Sequence, residues 1–171
     1  MKERIDVFDY ADTITRALRP GILLNTNGEK FNSMVIGWGS LGIIWGRKVF
    51  NIYVKQSRYT KSQLDRTGEF TISVPLSIAD PEIIRVCGTM SGRDINKADY
   101  LTLEQPETNN TPGVREFPLT IECRIIYTHD QVLDNIPKQA FDRYYGNDTI
   151  ANNFHTEYIG EIVDAYIIRE D

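Results

Sequence analysis

Runs of strict two-residue alternation recur along this chain, and that period restricts its fold more than any other feature. Residues 49–55 send Phe50, Ile52 and Val54 to one side and Asn51, Tyr53 and Lys55 to the other. Residues 70–74 alternate up to Pro75. Across 119–127, Leu119, Ile121, Cys123, Ile125 and Tyr127 share a face opposite Thr120, Glu122 and Arg124. Residues 158–168 read as a last strand with Ile159, Val163, Ala165 and Ile167 inward. A period of two puts successive side chains on opposite faces of a sheet. Residues 22–26 form a further short apolar run, followed by Asn27-Gly28, a hairpin dipeptide. Residues 34–45 carry Gly37, Gly39 and Gly42, with Gly46 just beyond, so a single bent or bulged strand is expected there, its backbone open to a ligand.

Helical signals are short. Residues 9–18 should form a helix that stops before Pro20. Ser57 or Thr60 can cap a helix that ends at Gly68. Asp80-Pro81-Glu82 starts another, running to about Cys87, and a fourth covers 137–145. Residues 91–112 are polar and irregular. Helices and strands do not alternate regularly, and no G-x-G-x-x-G follows an early strand. The pattern predicts a mainly β fold, an antiparallel barrel with peripheral helices.

At 171 residues the chain has material for one core, so a single domain over 1–171 is expected. No apolar run approaches the ~18 residues of a membrane span. The charged start has no apolar stretch behind it, so no secretory signal is expected and a cytoplasmic address follows by default. A net charge of −5 argues against a nucleic-acid binder, which needs a basic stripe. Cys87 and Cys123 lack metal or redox spacing and read as core thiols. His129 and His155 have neither metal spacing nor a neighbouring nucleophile, although His155 could edge a pocket. A chain with no activated nucleophile suits a cofactor that brings its own chemistry.

Two constellations remain. Ser57-Arg58-Tyr59-Thr60-Lys61 places hydroxyls and cations at a helix start, where free N–H groups and the helix dipole favour a phosphate. An ordinary capped helix with solvated cations accounts for the same residues. Residues 87–97 form a loop whose Arg93 and Lys97 could reach over an anion, or simply face water. Near them in function stands residues 32–39, where Trp38 could border a flat ring system or pack in the core. A flat ring bearing a phosphate, such as flavin mononucleotide (FMN), suits this combination.

Asn32-Ser33-Met34-Val35-Ile36-Gly37-Trp38, Ser57-Arg58-Tyr59-Thr60, Gly68-Glu69-Phe70-Thr71-Ile72-Ser73-Val74-Pro75, Cys87-Gly88-Thr89-Met90-Ser91-Gly92-Arg93-Asp94 with Lys97, and Tyr158-Ile159-Gly160-Glu161-Ile162 stand in a characteristic order. The chain, from about residue 19 to 168, resembles the flavin reductase-like family with the FMN-binding split barrel, particularly its flavoredoxin branch. The resemblance implies an antiparallel split β-barrel of Greek-key type. It implies that Asn32 and the backbone of Ser33, Met34, Val35 and Ile36 border the isoalloxazine, with Trp38 beside it. Ser57, Arg58, Tyr59 and Thr60 would form the phosphate end, and Lys97 would reach the flavin from its loop. Val35 stands where the family often has threonine, which removes one hydroxyl. The resemblance further implies a homodimer that passes electrons between NADH or NADPH and an acceptor. A flavoredoxin-like electron carrier and a flavin-binding module without turnover fit the same residues.

Overall fold

The computed structural model describes residues 1–169. The chain opens with β1 (Lys2–Arg4), and a 3-10 turn (Val7–Tyr10) then leads into α1 (Ala11–Ala17), which stops ahead of Pro20. Two hairpins follow. The first joins β2 (Ile22–Asn27) to β3 (Phe31–Ile36) across Asn27-Gly28, and the second joins β4 (Gly39–Ile44) to β5 (Arg47–Lys55). Next come α2 (Tyr59–Thr67), β6 (Glu69–Val74) and α3 (Pro81–Thr89). The irregular stretch contains a 3-10 turn (Lys97–Tyr100) and the paired β7 (Leu103–Glu104) and β8 (Gly113–Val114). The long β9 (Leu119–Asp130), then α4 (Lys138–Tyr144) and β10 (His155–Ile168) complete the fold.

The predicted punctuation is visible at residue level. Gly68 ends α2 at φ +69°, a left-handed conformation that glycine takes without steric cost, and its N–H donates to the Leu64 carbonyl at 2.9 Å. Asp80 caps α3 by accepting from the Glu82 N–H at 2.8 Å, with Pro81 in the first turn.

The expected single strand over 34–45 is instead two strands. Gly37 and Trp38 leave the ladder, β3 pairs with β2, and β4 pairs with β5. The main sheet runs β3-β2-β6-β9-β10-β5-β4 with every pair antiparallel, and β1 adds to β10 beyond β5. Its two outermost strands are thus consecutive in sequence. Two linking residues span at most ~11 Å, so the sheet must roll to bring those edges together.

Inside the roll lies the core, built from the inward residues of the alternating runs. Phe50, Ile52, Val54, Phe70, Ile72, Leu119, Ile121 and Cys123 pack there at full burial. A second apolar cluster, with Leu23, Ile83, Cys87, Val114 and Phe117, seats α3 against the outer side of β2 and β3. Residues 105–111 roof the outer side of β6 and β9. Thr71, Ser73, Thr120 and Glu122 are therefore fully buried although they alternate with the core residues. Register shifts between β9 and β10 break the period twice. One extra residue beside Tyr127 leaves that side chain 44% exposed rather than inward, and Val163 is the extra residue of the other shift.

Candidate active site: a two-ended trough

Strand β3, the start of α2 and the loop after α3 converge on a cavity of about 290 Å³ lined by Asn32, Met34, Val35, Ser57–Thr60, Cys87–Arg93, Lys97 and Ile150. A second cavity of about 280 Å³ adjoins it, lined by Met34–Trp38, Tyr53, Lys55, Arg58, Tyr144 and His155. Because both include Met34, Val35 and Arg58, they are two ends of one trough. Together they fall within the ~300–1,000 Å³ range of small-molecule sites.

The first end is polar and cationic. Arg58, not Ser57 or Thr60, is the N-cap of α2, and no side chain satisfies the N–H groups of its first turn. The Lys61 N–H donates to the Arg58 carbonyl at 3.1 Å, which leaves those of Tyr59 and Thr60 available, and the helix dipole adds partial positive charge. Thr60 is held from below: its Oγ1 accepts from the Asn32 Nδ2 at 2.9 Å, while the buried Asn32 Oδ1 has no partner. Ser57 is tied on both sides. Its N–H donates to the Asn153 Oδ1 at 3.0 Å, and its carbonyl accepts from Arg93 at 3.1 Å. Asn153 in turn donates to Asp148, which is paired with Lys55 at 2.7 Å, so the loop before β10 braces the helix start. Among the described residues Arg58 has no carboxylate partner.

Lys97 lines the cavity as expected, but it is neither a solvated lysine nor part of an open loop: it is 3% exposed at the start of a 3-10 turn. Its ammonium donates to the carbonyls of Ser33 at 2.7 Å and Cys87 at 3.2 Å, stitching β3 to α3. One of its three N–H bonds is left for the cavity it lines. Burial pushes its pKa down, and Arg58 adds to that. Burial likewise raises the Cys87 thiol, which fits a core cysteine. Ser33 is fully buried and lines neither cavity, although its carbonyl holds Lys97.

The second end is aromatic. Trp38 packs edge-on against Tyr144 at 5.0 Å between centroids and lies 4.8 Å from the His155 ring. Gln131 Oε1 accepts the His155 N–H at 3.2 Å and the Tyr145 hydroxyl at 2.8 Å. With its proton committed there, the Tyr145 oxygen accepts from His155 Nδ1 at 2.7 Å, which leaves Nε2 without a proton. Burial, then the nearby Lys55 and Arg58, lower the His155 pKa to about 4, so the ring is neutral at pH 7.

All the sequence-predicted positions except Ser33 therefore line the trough. Tyr53, Lys55 and Tyr144 were not foreseen as part of it, and His155 only as a residue that could edge a pocket. Tyr53 and Lys55 were legible as the non-core face of an alternating strand, whereas nothing local marked Tyr144. Of the glycines after Met34, Gly37 lines the second cavity, whereas Gly39 serves the chain: a Cβ there would meet the Asn51 carbonyl at 3.0 Å and Phe50 at 3.1 Å. Among the described residues no His, Cys, Asp and Glu cluster could hold a metal, and no helix is long and apolar enough to cross a membrane.

Comparison with known proteins places this geometry. The flavoredoxin of Methanosarcina acetivorans superposes with a TM-score of 0.67 at 24% identity, over 87% of this chain and 69% of that one. The flavoredoxin of Desulfovibrio vulgaris (Miyazaki F) gives 0.66 at 25% identity with the same coverages. An FMN-binding domain of a flavin reductases-like enzyme from Shewanella baltica gives 0.69 at 16% identity, over 98% of this chain and 77% of its own. An uncharacterised protein of Archaeoglobus fulgidus is 29% identical over 106 residues, 61% of this chain; that match spans only 59% of the relative's length. Residues 48–171 match the model of the flavin reductase like domain, and the chain belongs to that family.

Proposed function

We propose that this protein binds FMN in the trough and passes electrons between a nicotinamide nucleotide, NADH or NADPH, and an acceptor, with the whole chain acting as one split-barrel domain. One observation carries the reading. A helix start with N–H groups free of side-chain caps, and Arg58 with no carboxylate partner among the described residues, open into one end of a trough whose other end is walled by Trp38, Tyr53, Tyr144 and His155. A phosphate suits the first end and a flat conjugated ring suits the second. The residues fit the group in a further respect: the buried, unpartnered Asn32 Oδ1 is an acceptor that a flavin N–H or ribityl hydroxyl can satisfy.

When bound, FMN supplies the hydride and electron chemistry at its own ring. The chain would do the rest. Ser57, Arg58 and Thr60 would hold the phosphate, and Lys97 would present positive charge to the ring or phosphate from beneath β3. The neutral His155, bonded through Nδ1 to the Tyr145–Gln131 chain, would pack beside Trp38 and offer Nε2 as an acceptor at this end of the trough. The absorbance spectrum of the purified protein tests the cofactor, and oxidation of NADH and NADPH with and without added FMN tests the activity. Bound FMN without nicotinamide oxidation would assign an electron carrier instead.

A homodimer is part of this proposal. Ile43 is 64% and Trp45 68% exposed, and Trp45 lies 6.2 Å from the exposed Tyr127. Twofold association is the commonest way to bury such a patch. Light scattering should report twice 19.6 kDa at micromolar concentration; a monomer would reject it.

A further inference from the structure

We propose that Arg93 and Lys30, gathered around Tyr59 at the rim of the phosphate end, form a second anion subsite that takes a phosphate other than the one FMN carries. Two molecules supply such a group: a flavin dinucleotide through its second phosphate, and NADPH through its 2′-phosphate. The inference rests on the proposed seat of the FMN phosphate at Ser57, Arg58 and Thr60.

Charge distribution is the first ground. In this acidic chain, lysines and arginines are commonly tied to carboxylates, as in Lys48–Asp6, Lys61–Asp65, Arg66–Glu29 and Arg85–Glu82. Of the cations that have no carboxylate partner among the described residues, Arg19, Arg124 and Arg143 do not line this cavity, whereas Arg58, Arg93, Lys30 and Lys97 lie on or beside it. A phosphate monoester carries about −1.5 to −2 at pH 7. Four cations exceed what one such group balances.

Geometry is the second ground. The Arg93 guanidinium lies 5.5 Å from the Tyr59 ring centroid and donates to the Ser57 carbonyl at 3.1 Å. The Lys30 ammonium lies 5.9 Å from the same ring and donates to the Ile95 carbonyl at 3.1 Å. Carbonyl partners fix both heads without cancelling their charge, and each head keeps free N–H donors. Arg93 follows Gly92, where an added Cβ would sit 2.1 Å from Asn32 Oδ1 and 2.8 Å from Tyr59. The main chain is thus pressed against the phosphate end just before the arginine.

The test compares the wild type with the Arg93→Gln/Lys30→Gln double variant, using Arg124→Gln as a control for an exposed cation away from the cavity. Affinities of the apoprotein for FMN and FAD are read by flavin fluorescence quenching, and the KM values for NADH and NADPH with FMN loaded. The subsite predicts a loss of about tenfold in the double variant, from removed charge-assisted hydrogen bonds, in FAD affinity relative to FMN or in NADPH relative to NADH. A change confined to FAD assigns the diphosphate, and one confined to NADPH assigns the 2′-phosphate. Both ratios unchanged within about twofold, with FMN still bound, would overturn the subsite alone. Failure of the wild type to bind FMN would overturn the seat it rests on, and the subsite with it.

Discussion

Glu122 and Lys97 are both buried charges, but one is saturated and the other is not. The Glu122 carboxylate, under the 105–111 roof, accepts from the N–H groups of Glu107 at 2.6 Å, Thr108 at 2.8 Å and Asn109 at 3.0 Å, and from the Thr108 hydroxyl at 2.7 Å. Desolvation opposes its charge, yet those donors together hold its pKa below the ordinary value. Lys97 has two carbonyl partners and one N–H to spare, and it lines a cavity. A charge whose partners are all supplied by the chain is structural. One left short of a partner beside a cavity has a donor to spare for a ligand.

The comparison breaks first at Glu122. Glu122→Ala leaves four donors without their acceptor and should cost about 3–5 kcal/mol in urea unfolding, since each orphaned group carries a desolvation penalty. Acid should act the same way. Because the native pKa is depressed, the stabilisation is present above the unfolded carboxylate pKa and is lost as pH falls through the folded one. A variant of unchanged stability would show that the roof is held by something else.

Lys97→Met should show both effects at once. It removes two hydrogen bonds, at about 1–3 kcal/mol of apoprotein stability, and it should weaken FMN binding and lower the midpoint potential of the bound flavin. Stability lost with affinity and potential unchanged would make Lys97 a second Glu122.

Arg58→Ala should separate cleanly the other way. Loss of a charge-assisted hydrogen bond to phosphate, about 1.5–3 kcal/mol, should reduce FMN affinity by ten- to a hundredfold. Riboflavin affinity and the melting temperature should hardly move. Equal losses for riboflavin and FMN would place the phosphate elsewhere.

The smallest effect belongs to His155. Its folded pKa of about 4 lies below the ordinary 6.5, so the unfolded chain takes up a proton first. Stability should therefore fall as pH drops from about 6.5 toward 4, by about 1–2 kcal/mol for a partly buried ring. Wild type and His155→Asn should diverge at neutral pH and converge near pH 4. Parallel curves would reject the assignment.

Much of this molecule was legible before its tertiary structure. Two-residue periods placed β5, β6, β9 and β10, Asn27-Gly28 marked the first hairpin, and Gly68 and Asp80-Pro81 set helix ends, because each signal depends on neighbours within a few residues. Motif order also identified the family and brought ten of the eleven predicted site residues to the trough. What lies across an element was not legible. Alternation separated two faces of β9 as far as Ile125, short of the bulge before Tyr127, but could not show that residues 105–111 would roof the polar one and bury Glu122. The polar surroundings of Lys97 argued against burial and left it to a ligand or to water, whereas packing of α3 on β3 closed over it. Trp38 looked like part of one strand until the rolled sheet sent β3 and β4 to its opposite ends. Local sequence sets period, turn and cap through short-range sterics and hydrogen bonds; burial, charge balance and the meeting of α2, α4 and the 87–97 loop depend on segments far apart in sequence, and only the folded chain decides them.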